Sequence, residues 1–481
     1  MAKSSVIENY IFNTGYQIFL LIVPLITMPY VSRILGSEAV GTYSYYESIA
    51  ALFVMVAPFG TNSYGSREIS YYQDSRQKRT KVFWNVFSLR LITGIIFSGV
   101  YFVISCNQNE QILSTILTLN IISITFDISW MLQGVEDFQI IALRNIVVKV
   151  ISTALIFILI NDSTDLILYA IVMCVSTLLG NISVIFVVGK YIDKPDLKKI
   201  NPFHDFNVVL GLFIPTVALS ISNMLDKPII GLLSKGYNES GYYDRASKIV
   251  NVSLMVITSL GTVLKPRMGY WFENKEYKKI QQCLKKSFSF VFMLGIPLCM
   301  GLIGTASVLV PVYLGDGYEG AIRVLKTLSV TIPVIGISNI IGTQYLLPTK
   351  REKDYTKSII FGACVNLIGD ILLVKKYGAL GVAAATVFAE LTVSCYQILR
   401  VRKDIDIRTI LHTAYKYLIS SIIMYGVTSM ICKMPIGNLP KLIIMILVGA
   451  AIYFSALFVM QDVFFREIVM KFKEKPVKWR K

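Results

Sequence analysis

Apolar runs of about twenty residues, separated by short polar stretches, recur along the whole chain of 481 residues. A helix rising 1.5 Å per residue needs about 20 such residues to cross a hydrocarbon core about 30 Å thick. The pattern predicts about fourteen spans, at 10–32, 40–61, 82–104, 111–131, 144–161, 165–189, 208–233, 245–267, 287–310, 321–346, 356–374, 380–400, 412–432 and 441–462. The runs do not alternate polar and apolar positions, which excludes a closed β-barrel and leaves an all-α integral membrane bundle. The tightest junction lies between 144–161 and 165–189, where little more than Asn161-Asp162-Ser163-Thr164 separates two spans.

Composition agrees with the pattern. The chain is 54% hydrophobic and 16% charged, where soluble domains carry about 25% charge. The net charge of +17 does not point to nucleic acid, because the basic residues sit in short loops between apolar runs and form no contiguous patch. Cysteines are odd in number, with no two spaced as C-x-x-C, and most lie inside apolar runs. No disulfide framework or metal site is expected, and no cofactor. The short polar start, Met1 to Asn9, has no small-residue cleavage site after its first apolar run, so that run is expected to remain as a helix.

Lys and Arg distribute unevenly across alternate loops. The stretches bearing Arg67–Lys81, Lys190–Lys199, Lys265–Lys286, Lys350–Lys357, Arg400–Lys416 and Arg466–Lys481, with Lys3 and Arg144, hold most of the 47 basic residues. The opposite loops hold few, among them Arg33, Lys235, Arg245, Lys248 and Arg323. The positive-inside rule then places both termini in the cytoplasm, as an even helix count requires. The basic stretch from Asn274 to Lys286 is expected to lie on the anionic inner leaflet.

A weak repeat runs at a step of 200 residues: Gly41-x-Tyr43 answers Gly241-x-Tyr243, and Arg67 answers Arg267. The helices before these copies are each interrupted by two prolines, Pro24 and Pro29, then Pro215 and Pro228. Proline removes an N–H and kinks a helix, and interrupted helices at matching places mark a transporter's binding region. The expected organisation is an N-terminal lobe over 1–200, a second lobe over 201–405 in parallel repeat, and two further helices with a basic tail over 406–481.

Three segments carry a family resemblance: Pro24-Leu-Ile-Thr-Met-Pro29-Tyr-Val-Ser-Arg33-Ile-Leu-Gly36-Ser-Glu-Ala-Val-Gly41-Thr-Tyr43-Ser-Tyr45, then Tyr64-Gly65-Ser66-Arg67-Glu68, then Asp127-Ile-Ser-Trp130-Met-Leu-Gln133-Gly134-Val-Glu136-Asp137-Phe138 with Arg144-Asn145. Together they resemble the bacterial polysaccharide repeat-unit flippases of the Wzx type, within the multidrug/oligosaccharidyl-lipid/polysaccharide superfamily. The motifs cover the first third of the chain and the topology nearly all of it. The resemblance implies two lobes around a central cavity, alternating access, and an undecaprenyl-diphosphate-linked oligosaccharide as substrate, in the service of capsule, exopolysaccharide or O-antigen assembly. It implies the cytoplasmic membrane as location, with the polysaccharide polymerase and glycosyltransferases of the pathway as possible partners.

Moving a sugar head and a diphosphate through a low-dielectric slab costs desolvation that fixed cations offset. Ionisable residues in or beside the spans are therefore the candidates. Arg33, Arg90, Lys227, Arg245 and Lys248 are the candidate substrate-binding cations; for Arg33 and Arg90 the competing reading is snorkelling or packing, and for Arg245 and Lys248 a solvated helix start. Glu390, the most central carboxylate, and Glu47 are candidates for H+ or Na+ coupling, or for interhelical hydrogen bonds. Asp226, beside Lys227 and before Pro228, is a gate candidate, and Asp127, Glu136 and Arg144 are expected as a cytoplasmic gate or loop brace.

Two other classes compete. A cation-coupled drug exporter of the same superfamily would have an acidic cavity, against which these cations weigh. A membrane glycan polymerase would carry a long external loop, whereas the largest opposite-side segment is Ser234 to Asp244. No phosphate loop or nucleophile motif is visible, so enzymatic turnover is not expected.

Overall fold

The computed structural model describes residues 6–474. Lys3 and the tail cations Lys475, Lys478, Arg480 and Lys481 lie outside them, as do the side chains of Pro215, Arg408 and His412. The described chain is helical with no strand. Ten helices are long and apolar enough to cross a membrane by length and composition. Three further stretches, Val6–Val56 as two arms, Phe206–Leu233 with one interruption and Ile407–Cys432, bring the long helical segments to fourteen. The protein is a multi-pass membrane protein.

The two arms of Val6–Val56 meet at Gly36, whose φ of 76° and ψ of 174° are not helical. That left-handed φ is open to glycine at no steric cost. The tight junction at 161–164 is real: Phe138–Leu159 and Leu166–Ser183 are separate helices. The Asp165 carboxylate closes the turn by accepting the N–H groups of Asn161 and Asp162, each at 2.9 Å. Those two donors hold the Asp165 carboxyl below its ordinary range.

Several helices outrun the apolar pattern. The eighth and ninth spans are Asn238–Glu273 and Tyr277–Leu314, of 36 and 38 residues. At 1.5 Å per residue these are about 54–57 Å long and project well beyond the hydrocarbon. The stretch Asn274–Lys286 falls at the junction of these two helices. It is a turn at Lys275 followed by the first turns of the ninth span.

By contact the chain forms two compact units, Met1–Leu232 with Gly236–Gly241, and Leu233–Lys235 with Tyr242–Lys481. This division falls later than the lobe boundary expected at residue 200. Packing explains the difference: Phe59 stacks on Phe213 at 4.5 Å and on Phe206 at 5.4 Å, and Gly231 lies against the Tyr45 ring. The span Phe206–Leu233 is thereby seated among the helices of the first unit. The glycines matched in the repeat, Gly41 and Gly241, also meet inside the first unit. A Cβ on Gly41 would stand 1.9 Å from the carbonyl oxygen of Tyr237, and one on Gly241 2.6 Å from that of Ser37.

In the second unit Glu352–Tyr377 and Ala379–Val401 form a close antiparallel pair. Arg351 reaches Asp354 at 2.8 Å and Asp404 at 2.6 Å, and Arg400 reaches Asp354 at 2.8 Å. One end of this pair is thus tied by charge.

Candidate functional site

In the first unit the second and fourth spans are among those broken, and a break in a low-dielectric slab releases backbone groups that protein must satisfy. The second span stops at Val56 and resumes at Thr61 after Ala57-Pro58-Phe59-Gly60, with Phe59 at φ 47° and Gly60 at φ 77°. The fourth stops at Phe126 and resumes at Ser129. Arg90, on Arg76–Ser105, lies between the two breaks and is 0% exposed. Its Nε donates to the carbonyls of Ile124 and Thr125, both at 3.1 Å, its Nη1 to Thr61 Oγ1 at 3.1 Å and Asn62 Oδ1 at 2.5 Å, and its Nη2 to the Ile124 carbonyl. One turn on, Thr93 Oγ1 donates to the Ala57 carbonyl at 2.7 Å. In this structure the Arg90 guanidinium bonds protein acceptors and is enclosed.

The second and third motif segments form one structural unit. A Cβ at Gly65 would lie 2.4 Å from the Trp130 ring, and one at Gly134 would lie 2.7 Å from Ile69 and 2.8 Å from the Ser66 carbonyl. Small residues are what let these two short helices touch. Tyr64 donates to Asp205, and Arg67 lies over the Tyr64 ring at 5.6 Å and beside Glu68 at 3.1 Å. Asp205 is also bonded to His204 at 2.9 Å. Burial raises the Asp205 carboxyl, but Tyr64 and His204 outweigh it and hold the group below its ordinary range.

Asp127 and Arg144 are brought together, at 3.4 Å. Asp127 also accepts from the Ser129 N–H at 3.1 Å and from its hydroxyl, so it caps the resumed helix while Arg144 braces it to the next span. Glu136 stands apart, exposed in the following turn at φ 62°. The motif tyrosines pack at the other end: Tyr43 against Tyr169 at 5.0 Å, Tyr45 stacked on Tyr237 at 5.2 Å, and Tyr46 hydroxyl 3.3 Å from that of Tyr237.

Arg33 is exposed one turn before the Gly36 break. Asp226 is buried and Lys227 half-buried at the start of the resumed seventh span, Asp226–Leu233. Glu47 is half-buried near Cys174.

In the second unit Arg245 and Lys248 do sit on one helix face, joined by a residue the pattern of cations did not single out. Asp244, its side chain 2% exposed, holds Lys248 at 2.9 Å and Arg245 at 3.5 Å. Arg245 is buried and Lys248 exposed, so the trio runs from the interior outward. Glu390 is half-buried and near Tyr355. The carboxylate that is fully enclosed is another one: Asp370, 0% exposed, with the Asn366 amide 3.5 Å away one turn earlier. Its position four residues inside the eleventh apolar run was the available signal. No cluster of three or more His, Cys, Asp or Glu suited to a metal ion occurs among the described residues.

Residues 6–272 match the family of polysaccharide biosynthesis proteins. The chain belongs to this family. Among curated relatives, a putative O-antigen transporter of Escherichia coli (strain K12) is 24% identical over 84% of this chain and 98% of its own length. A putative O-antigen transporter of Shigella dysenteriae is 21% identical over 79% and 96%. Among solved structures, the lipid II flippase MurJ in an inward closed conformation superimposes with a TM-score of 0.74 at 18% identity, over 96% of this chain and 100% of that one. An inward-facing multidrug resistance MATE family transporter gives 0.60 at 14% identity, over 81% and 96%. These likenesses establish the fold of the superfamily to which the motif resemblance pointed.

Proposed function

We propose that the protein is a flippase that moves an undecaprenyl-diphosphate-linked oligosaccharide repeat unit from the cytoplasmic to the outer leaflet, by alternating access, for polysaccharide assembly. The observation that carries this reading is the nearly end-to-end correspondence with putative O-antigen transporters. The disposition of charge supports it. Lys227 and Arg245 sit in mostly apolar helices where burial costs free energy unless an anion or a carboxylate offsets it. Arg33 and Lys248 are exposed residues that add positive charge where a diphosphate or an acidic sugar would pass. The basic loops face the cytoplasm and both termini lie there, in the bacterial inner membrane. The protein acts as a transporter and not as an enzyme, beside the polymerase and glycosyltransferases of the pathway. Transport is coupled to H+ or Na+ through a buried or half-buried carboxylate, for which Asp226, Glu390 and Asp370 qualify.

Deleting the gene tests the reading. Loss of surface polysaccharide with polyprenyl-diphosphate-linked repeat units accumulating on the cytoplasmic leaflet, restored by the wild-type chain, is the expected result. Normal surface glycan with altered resistance to cationic drugs would refute it in favour of an exporter.

A further inference from the structure

A basic groove of about 320 Å³ lies in the first unit where the loop after the sixth span folds against the start of Arg76–Ser105. The loop is held by its backbone. Arg76 bonds Asp193 at 2.8 Å and the carbonyls of Gly189, Lys190 and Ile192 at 3.0–3.3 Å. Trp84 Nε1 donates to the Asp193 carbonyl at 3.1 Å, and the Asp193 N–H donates to Thr80 Oγ1 at 3.0 Å. The groove is therefore a built feature between two pinned walls.

Its charges do not balance. The two acids on its wall are already engaged, Asp193 by Arg76 and Asp196 by Lys199 at 2.8 Å. Lys78, Lys81 and Lys194 also line it, and none has an ion-pair partner among the described residues. Lys78 and Lys81 are three apart on one helix face, with the Lys78 ammonium 5.4 Å from the centre of the Tyr72 ring. A solvated basic face would mix its signs; here both acids are already ion-paired and three further lysines line one recess. Trp84, six residues and about 9 Å along the helix from Lys78, is the kind of amphipathic ring that settles at headgroup depth. A volume of about 320 Å³ leaves room for a phosphate and the groups attached to it.

The geometry points to this groove as a site for a phosphate group presented at the membrane surface, with Lys78, Lys81 and Lys194 as its cations and Trp84 as its apolar flank. Two sources supply that chemistry, the headgroup of an anionic phospholipid and free phosphate. The assignment does not depend on what the protein transports.

The test uses the full chain in zwitterionic nanodiscs doped with brominated phosphatidylglycerol or brominated phosphatidylcholine of the same acyl chains. Quenching of tryptophan emission is read, with Trp84→Phe giving the background of the other tryptophans. Phosphatidylglycerol is expected to quench the Trp84 share at severalfold lower mole fraction than phosphatidylcholine, and the triple variant Lys78→Gln, Lys81→Gln, Lys194→Gln to erase the difference. Native mass spectrometry of bound phosphatidylglycerol, wild type against triple variant, gives the same comparison without Trp84→Phe. Reversal of the quenching by millimolar inorganic phosphate at constant ionic strength would support the site with free phosphate as a ligand; persistence would support it with the lipid headgroup. Equal quenching by the two lipids, or a preference that survives the triple variant, would overturn the assignment.

Discussion

Replacing Arg90 by alanine should destabilise the protein before it affects any substrate. The side chain is fully buried and its guanidinium serves two helix breaks at once. Deleting it strips the partner from the carbonyls of Ile124 and Thr125, at about 1–3 kcal/mol for each buried group left unsatisfied. Thr61 and Asn62 lose a donor too, but their hydroxyl and amide can turn to new partners. A loss of about 3 kcal/mol is a moderate expectation, on the order of 3 °C in apparent melting temperature for a chain of this length. Arg90→Lys keeps the charge but lacks the planar fork that reaches several acceptors, so it should fall between wild type and alanine. The assay is the fraction of purified protein that stays monodisperse after heating in detergent, compared at equal expression. An unchanged transition for Arg90→Ala would refute the reasoning. A variant of wild-type stability that no longer transports would return Arg90 to the cavity.

Other changes test other parts. Gly65→Val drives a side chain into the Trp130 ring, 2.4 Å from the first added carbon; folded yield should fall, by about 1–3 kcal/mol of overpacking or more, and Trp130→Ala should recover part of it. Asp244→Asn removes the buried carboxylate that Arg245 and Lys248 share, a loss of up to about 3–5 kcal/mol, whereas Lys248→Gln removes only the exposed partner and should cost under about 1 kcal/mol; thermal unfolding of both variants checks the order. The lowered Asp205 carboxyl contributes stability that is present above the unfolded value of about 3.9 and is lost as pH falls through its folded value. Asp205→Asn should therefore be less stable than wild type at pH 7 and indistinguishable from it in strong acid, as melting curves across pH will show. Asp370→Asn and Glu390→Gln should each be compared with wild type for repeat-unit export across pH and sodium; at least one should lose its ion dependence, and two fully active variants would remove both from coupling.

The sequence by itself determined the class, the spans and the charge layout. Membrane burial imposes a length on every apolar run, and the Lys and Arg bias follows loops that hydropathy already delimits, so neither needs tertiary information. The short motifs were legible as a resemblance because glycines and aromatics recur there in fixed order. What those residues do was decided in three dimensions. Nothing in the spacing of Gly65 and Trp130 says that the Trp130 ring lies where a Cβ on Gly65 would stand, because the pair is brought together by two helix breaks, at 57–60 and 127–128, far apart in the chain. Arg90 read as a cation in an apolar run, and only its acceptors reveal a brace. Asp244 and Asp370 drew no notice beside neighbouring cations and within an apolar run, although burial makes them the costliest carboxylates of their unit to leave unpaired. Desolvation depends on what surrounds a group and not on its place in the chain, and that is why the fold could be read along the sequence while the roles of its charges could not.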